Sequence, residues 1–159
     1  MAKVVRFSHV GLTVHDLDTS LAFWSGQLGL RVLGRGLVEW EHLDRIVGLD
    51  STQIEWAEIE LPGDGGFLEL FAYLQPRGPA LPPSGMNRPG MPHICLEVDD
   101  IKQVVEKLRA HGYQSRSKEI VTIPRGAYKD CKCIYILDPD GITLELTERP
   151  PARATEGDE

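Results

Sequence analysis

The sequence predicts an α+β fold built from two copies of a β-α-β-β-β module, and three observations carry that prediction. The line His9-Val-Gly-Leu-Thr-Val-His-Asp-Leu17 returns as His93-Ile-Cys-Leu-Glu-Val-Asp-Asp-Ile101, with the same apolar alternation. A helical spacing of apolar residues follows each line. Each half then closes on a matching tetrad, Phe67-Leu-Glu-Leu70 and Thr143-Leu-Glu-Leu146. Similarity kept in a shared order marks an internal repeat, each copy one supersecondary unit.

In the first strand Val10, Leu12 and Val14 share one face and His9, Gly11 and Thr13 the other, because strand side chains alternate. Leu17, Leu21, Trp24 and Leu28 recur at i, i+4, i+7 and i+11, the spacing of a helix with one apolar stripe. Asp16 stands at its N-cap and Gly29 just past its end. From His9 to Glu69 is 60 residues, against 52 from His93 to Glu145, so the first module carries 8 extra. They are assigned to Gly36–Thr52, where Trp40, Leu43 and Val47 point to a short helical turn. The closing strand sets Leu68, Leu70 and Ala72 against Phe67, Glu69, Phe71 and Tyr73.

The second module repeats the logic. Ile94, Leu96 and Val98 oppose His93, Cys95 and Glu97; Ile101, Val104, Val105 and Leu108 form the helical stripe. Asp99 or Asp100 serves as N-cap, and Gly112 follows the helix. Asp138-Pro-Asp-Gly141 suits a type I turn with a left-handed Gly141, the three-residue hairpin with a G1 bulge. That register pairs Tyr135 with Glu145 and sets Ile134 and Ile136 beside Leu144 and Leu146. Both sheets are thus expected to turn an apolar back to their helices and a polar front to a common cavity. His9, Glu69, His93 and Glu145 all fall on that front.

The resulting division is residues 1–75 for the first module, 76–92 for a linker, 93–148 for the second module and 149–159 for a disordered tail. The linker assignment rests on five prolines and three glycines between Gln75 and Met91. With 17 Lys and Arg against 24 Asp and Glu, the net charge of −7 disfavours a nucleic-acid backbone or an anionic membrane as partner. No apolar run approaches the length of a membrane span, and the first residues lack a signal-peptide core. Three cysteines, two of them Cys131 and Cys133, make a disulfide framework a poor reading and a cytoplasmic location the expectation.

A single histidine on a strand is ordinarily hydrogen-bonded scaffolding, and an unpaired inward carboxylate is costly. Here the duplication sets one His and one Glu equivalently in each half. Two imidazoles and two carboxylates are ligand types that suit a divalent transition metal such as Ni, Co, Zn, Mn or Fe. One such ion, held by His9, Glu69, His93 and Glu145, is the expected cofactor. No residue is assigned to an organic cofactor.

These motifs resemble the vicinal oxygen chelate superfamily, which includes glyoxalase I, methylmalonyl-CoA epimerase, extradiol dioxygenases and bleomycin-resistance proteins. The resemblance covers roughly residues 5 to 148 and rests on the two His-led openings, the Asp138–Gly141 turn and the two Leu-Glu-Leu endings. It implies paired βαβββ modules in an open, curved, barrel-like mixed sheet around one metal, with ligand positions at His9, Glu69, His93 and Glu145. It also implies a small-molecule substrate offering two vicinal oxygens. In the glyoxalase and epimerase branch the metal stabilises an enolate or enediolate, while Glu145 or Glu69 moves a proton next to the carbonyl. An extradiol-type dioxygenase would need only His9, His93 and Glu145 around Fe(II), leaving Glu69 surplus. A non-catalytic antibiotic-binding protein would need no metal set. The metal-dependent lyase or isomerase is therefore the expected function.

Substrate contacts are expected from Trp40, in the extra segment that would cover the cavity mouth, and from Tyr135, Phe71 and Arg125. Arg31 and Arg35 are further candidates for meeting carboxylates or phosphates of a substrate. Cys131 and Cys133 are expected to be cavity or packing residues. The linker is long enough for the modules to meet within one chain or across two, and a homodimer is expected.

Overall fold

The computed structural model describes residues 1–63, 66–80 and 85–151. Part of the expected linker, residues 81–84, and most of the expected tail, residues 152–159, lie outside the described residues. The chain divides into two compact units, Met1–Ser84 and Gly85–Glu159.

The first unit runs β1 (His9–Val14), α1 (Leu17–Leu21) continuing as a π-helical segment (Ala22–Gln27), β2 (Val32–Val38), α2 (Leu43–Val47), β3 (Gln53–Glu60) and β4 (Phe67–Gln75). Its four strands form a mixed sheet in the order β1-β4-β3-β2, with β1 parallel to β4 and the other pairs antiparallel. The second unit runs β5 (His93–Glu97), α3 (Ile101–Ala110), β6 (Val121–Thr122), β7 (Lys132–Leu137) and β8 (Thr143–Glu148). Its sheet repeats the order as β5-β8-β7-β6. These are the two βαβββ modules, each a four-stranded mixed sheet.

Alternation decides which face is covered. Leu12, Val14, Ile59, Leu68 and Leu70 are buried on the back of the first sheet, and Ile134, Ile136, Leu144 and Leu146 on the back of the second. Each such side chain contributes about 1.5–3 kcal/mol by leaving water. Helix α3 supplies Ile101, Val105 and Leu108 to the second core. Its N-cap is Asp100, whose carboxylate accepts from Gln103 N–H at 3.0 Å. Glu148, at the end of β8, accepts from Ile101 N–H at 2.8 Å and is ion-paired with Lys132. A carboxylate there also suits the positive end of the helix dipole. Arg149, the first residue of the expected tail, donates to Glu97 at 2.6 Å.

The first helix departs from the expected stripe. Asp16 caps it through Thr19 N–H at 2.8 Å, but after Leu21 the chain widens into a π-helical turn in which Leu28 N–H bonds Phe23 C=O. An i→i+5 turn carries an extra residue, which rotates the faces. Phe23 and Trp24 are both buried, edge to face at 5.2 Å, while Leu21 and Leu28 are only half-buried.

The Asp138–Gly141 turn has the expected form. Gly141 has φ +82, Gly141 N–H bonds Asp138 C=O, and Asp138 N–H bonds Ile142 C=O. Tyr135 pairs with Glu145, Ile134 with Leu146 and Ile136 with Leu144. A one-residue slip would have turned these isoleucines to the front.

Candidate functional site

On the front of the first sheet, β1 and β4 run parallel with Gly11 beside Glu69. His9 lies two residues earlier on the same face, so its ring reaches diagonally across to the carboxylate. His9 Nε2 is 3.2 Å from Glu69 Oε2. Phe67 stacks on the imidazole at 5.1 Å, and Ser8 Oγ lies 3.1 Å from Nδ1. The second sheet repeats the geometry, with Cys95 beside Glu145 and His93 Nε2 2.9 Å from Glu145 Oε2. Tyr135 stacks on His93 at 5.4 Å. Both histidines keep 40% of their side-chain surface exposed, and Glu69 and Glu145 keep 22% and 17%, so each pair is open to a ligand.

The donor set fits a divalent metal. In each pair the imidazole Nε2 lies within hydrogen-bonding distance of a carboxylate oxygen. Neutral imidazole and carboxylate are the forms that would bind a divalent ion. Among the described residues no group of three or more His, Cys, Asp or Glu is gathered to hold an ion by itself. Each module brings one imidazole and one carboxylate.

The two carboxylates have different neighbours. Glu145 Oε1 accepts from the Cys133 thiol at 3.3 Å, and Tyr135 is its cross-strand partner. Burial, and then the hydrogen bond to Glu145, pushes the Cys133 thiol up to about 12. Burial and then the Glu145 charge raise the Tyr135 phenol as well. Cys95, 3.7 Å from Thr147 Oγ1, is raised mainly by burial. Glu69 instead has Glu58 directly opposite on β3. Like charges placed so repel one another.

Beside Glu69 lies an aromatic surface in which Phe71 is an expected contact and Trp56 is one that sequence reasoning missed. Trp56 on β3 pairs with Gly36 on β2 and Phe71 on β4. Its indole lies over two glycines: a Cβ added at Gly36 would sit 3.1 Å from Trp56 Nε1, and one at Gly34 3.4 Å from Cη2. Phe71 lies over Gly11 in the same way, at 3.4 Å. Glycines two apart in a strand signal such a close approach, and Gly34 and Gly36 were the available clue.

The other expected contacts are dispersed. Trp40 is 67% exposed just before α2, inside the extra segment. Asp44 anchors that segment by accepting from Thr52 N–H at 2.7 Å and Ser51 N–H at 2.9 Å. The Thr52 bonds hold its carboxyl below the usual range. Arg125 is exposed in the connection from β6 to β7. Arg31 and Arg35 are engaged elsewhere: Arg31 forks onto Glu60 at 2.7 and 2.8 Å, and Arg35 meets Asp18 at 2.9 Å. Cys131 is buried and precedes β7, whereas Cys133 reaches the front.

The chain belongs to the Glyoxalase/Bleomycin resistance protein/Dioxygenase superfamily, whose sequence profile matches residues 6–146. It is similar to the lactoylglutathione lyase of Salmonella typhimurium, 29% identical over 151 residues that span 93% of this chain and 96% of the relative. Mitochondrial methylmalonyl-CoA epimerase of Homo sapiens is 28% identical over 149 residues, 90% of this chain and 73% of the epimerase. A solved glyoxalase family protein of Bacillus cereus superposes with a TM-score of 0.81 at 28% identity, over 92% of this chain and 95% of that one. Among the described residues no helix is long and apolar enough to cross a membrane.

Proposed function

We propose that the protein is a metal-dependent enzyme of the glyoxalase and epimerase kind, moving a proton next to a carbonyl of a small substrate with two vicinal oxygens. The observation that carries this reading is the repeated pair: His9 with Glu69 at 3.2 Å and His93 with Glu145 at 2.9 Å, at matching positions of two sheets. The four side chains would hold one divalent ion, within one chain or across a homodimer. When bound, that ion supplies Lewis-acid stabilisation of negative charge developing on the substrate oxygens.

This chain's own residues do the rest. Glu69 accepts the proton from carbon at a carboxylate oxygen, and its facing Glu58 keeps that side of the site rich in negative charge. Glu145, held from one side by Cys133, stays in place. Trp56 and Phe71 offer an apolar surface to the substrate's carbon skeleton, and Trp40 closes over it from the extra segment. Arg125 reaches an acidic group on a larger substrate.

The test is metal analysis of the purified protein, followed by assays in deuterated solvent under argon with hemithioacetals and CoA esters. Deuterium entering the substrate or product without O₂ supports the proposal. Substrate-dependent O₂ consumption by Fe(II)-loaded protein, with no deuterium incorporated, would replace it with the dioxygenase.

A further inference from the structure

We propose that Cys133 is a positioning residue: its thiol holds one oxygen of Glu145 so that the other alone is presented beside His93. This rests on the metal role proposed for His93 and Glu145.

A glutamate carboxylate turns easily about its last torsion and binds a cation through either oxygen or both. Here the two oxygens have different nearest partners, and Tyr135 adds a weaker hydrogen bond to the same carboxylate. Oε2 lies 2.9 Å from His93 Nε2, and Oε1 accepts from Cys133 Sγ at 3.3 Å. The arrangement follows from register. On β7, Cys133 stands opposite Thr147, two residues from Tyr135, which is opposite Glu145. Residues two apart share a face, so the short cysteine side chain reaches the carboxylate diagonally. Tyr135 meanwhile stacks on the His93 ring at 5.4 Å. Both members of the second pair are therefore braced by β7.

Among the described residues, the first module shows no such brace. The position matching Cys133 is Trp56, opposite Phe71 on β4, and its indole lies over Gly34 and Gly36. The position matching Tyr135 is Glu58, opposite Glu69. Among the described residues, Glu69 is contacted through an ion pair by His9 alone. Partners that orient metal ligands typically govern about 10–100-fold in metal affinity.

The experiment is a titration of metal-stripped protein with Co(II) against a competing chelator, read by the visible d–d spectrum. Wild type is compared with Cys133→Ala, Cys133→Ser and His93→Ala, and the melting temperature of each metal-free protein is recorded. Cys133→Ala is expected to weaken Co(II) binding by about 10-fold and to alter the d–d bands, while Cys133→Ser, which keeps a donor, stays near wild type. If Cys133→Ala does not fold, Cys133→Val takes its place. Unchanged affinity and spectrum in the alanine variant would overturn the proposal. So would equal losses in alanine and serine variants, which mark a packing role, or a thiolate-to-cobalt charge-transfer band, which would make Cys133 a ligand. Equal Co(II) binding by wild type and His93→Ala is a separate outcome: it removes the metal reading of the pair, and the brace falls with it.

Discussion

The two modules share strand order, register and the His–Glu pair, yet they surround that pair differently. In the second, Cys133 and Tyr135 on β7 contact Glu145 and His93, and the edge strand is reduced to β6, Val121–Thr122, with one further bridge from Ser115 to Ile136. In the first, β2 runs the length of β3, and its glycines carry the Trp56 indole, while Glu69 faces Glu58. Duplication preserved the groups that would meet an ion and let their surroundings diverge. One carboxylate is held by a thiol; the other stands beside a second negative charge and an apolar surface. On the proposed function, that difference would place anchoring in the second module and proton movement with substrate contact in the first.

The largest effect tests what the modules have in common. His9→Ala and His93→Ala should each weaken divalent metal binding by more than about 100-fold, beyond the range for outer partners. Equilibrium dialysis with metal analysis checks this, and a loss confined to one of the two would end the equivalence. The next tests what separates them. Glu69→Gln should lower kcat by about 10²–10⁴-fold while retaining metal, the usual size of a general-base contribution. Glu145→Gln should instead lower metal affinity, so dialysis and solvent-deuterium exchange together tell the roles apart.

Smaller effects sharpen the contrast at the edges. Gly36→Ala should destabilise the first module by no more than about 1 kcal/mol, because the added methyl meets the Trp56 side chain at 3.1 Å and the indole must shift to admit it. A double variant with Trp56→Ala should recover part of that loss in denaturant melts. Trp40→Ala should raise KM several-fold and leave metal content and melting temperature unchanged; a shifted oligomer equilibrium with intact kinetics would make the segment an interface.

The smallest effect concerns Glu148, whose carboxyl Lys132 and then the Ile101 N–H hold below its ordinary value of 4.5. A carboxyl lowered on folding adds stability above its unfolded pKa and loses it as pH falls through the folded value. Glu148→Gln should therefore melt below wild type at neutral pH, and the gap should close as pH falls below about 4.5. Melting curves across pH 3–7 check this.

Much of this architecture is legible in the sequence. The Asp138–Gly141 turn set the β7–β8 register because a three-residue hairpin admits one pairing, and Tyr135 fell opposite Glu145 as expected. The extra segment carries the short helix α2, Leu43–Val47, where Leu43 and Val47 pointed. The expected helical stripe does not extend through Leu28, which is half-buried. A π-helical turn obeys no 3.6-residue period, so Phe23 lay hidden beside Trp24. Trp56 and Glu58 were passed over because neither belongs to a repeated motif.

What the sequence determined by itself was everything written in local periods: two modules, their covered backs, and one His and one Glu on each open front. Alternation of two and turn chemistry suffice for that, since each depends on neighbours a few residues away. Only the tertiary structure decided which side chains lean on those four. Cys133 meets Glu145, Phe67 stacks on His9, and Trp56 lies over Gly34 and Gly36 through cross-strand pairing. Such contacts join residues distant in sequence and turn on the diagonal reach of individual side chains, which no periodic pattern records.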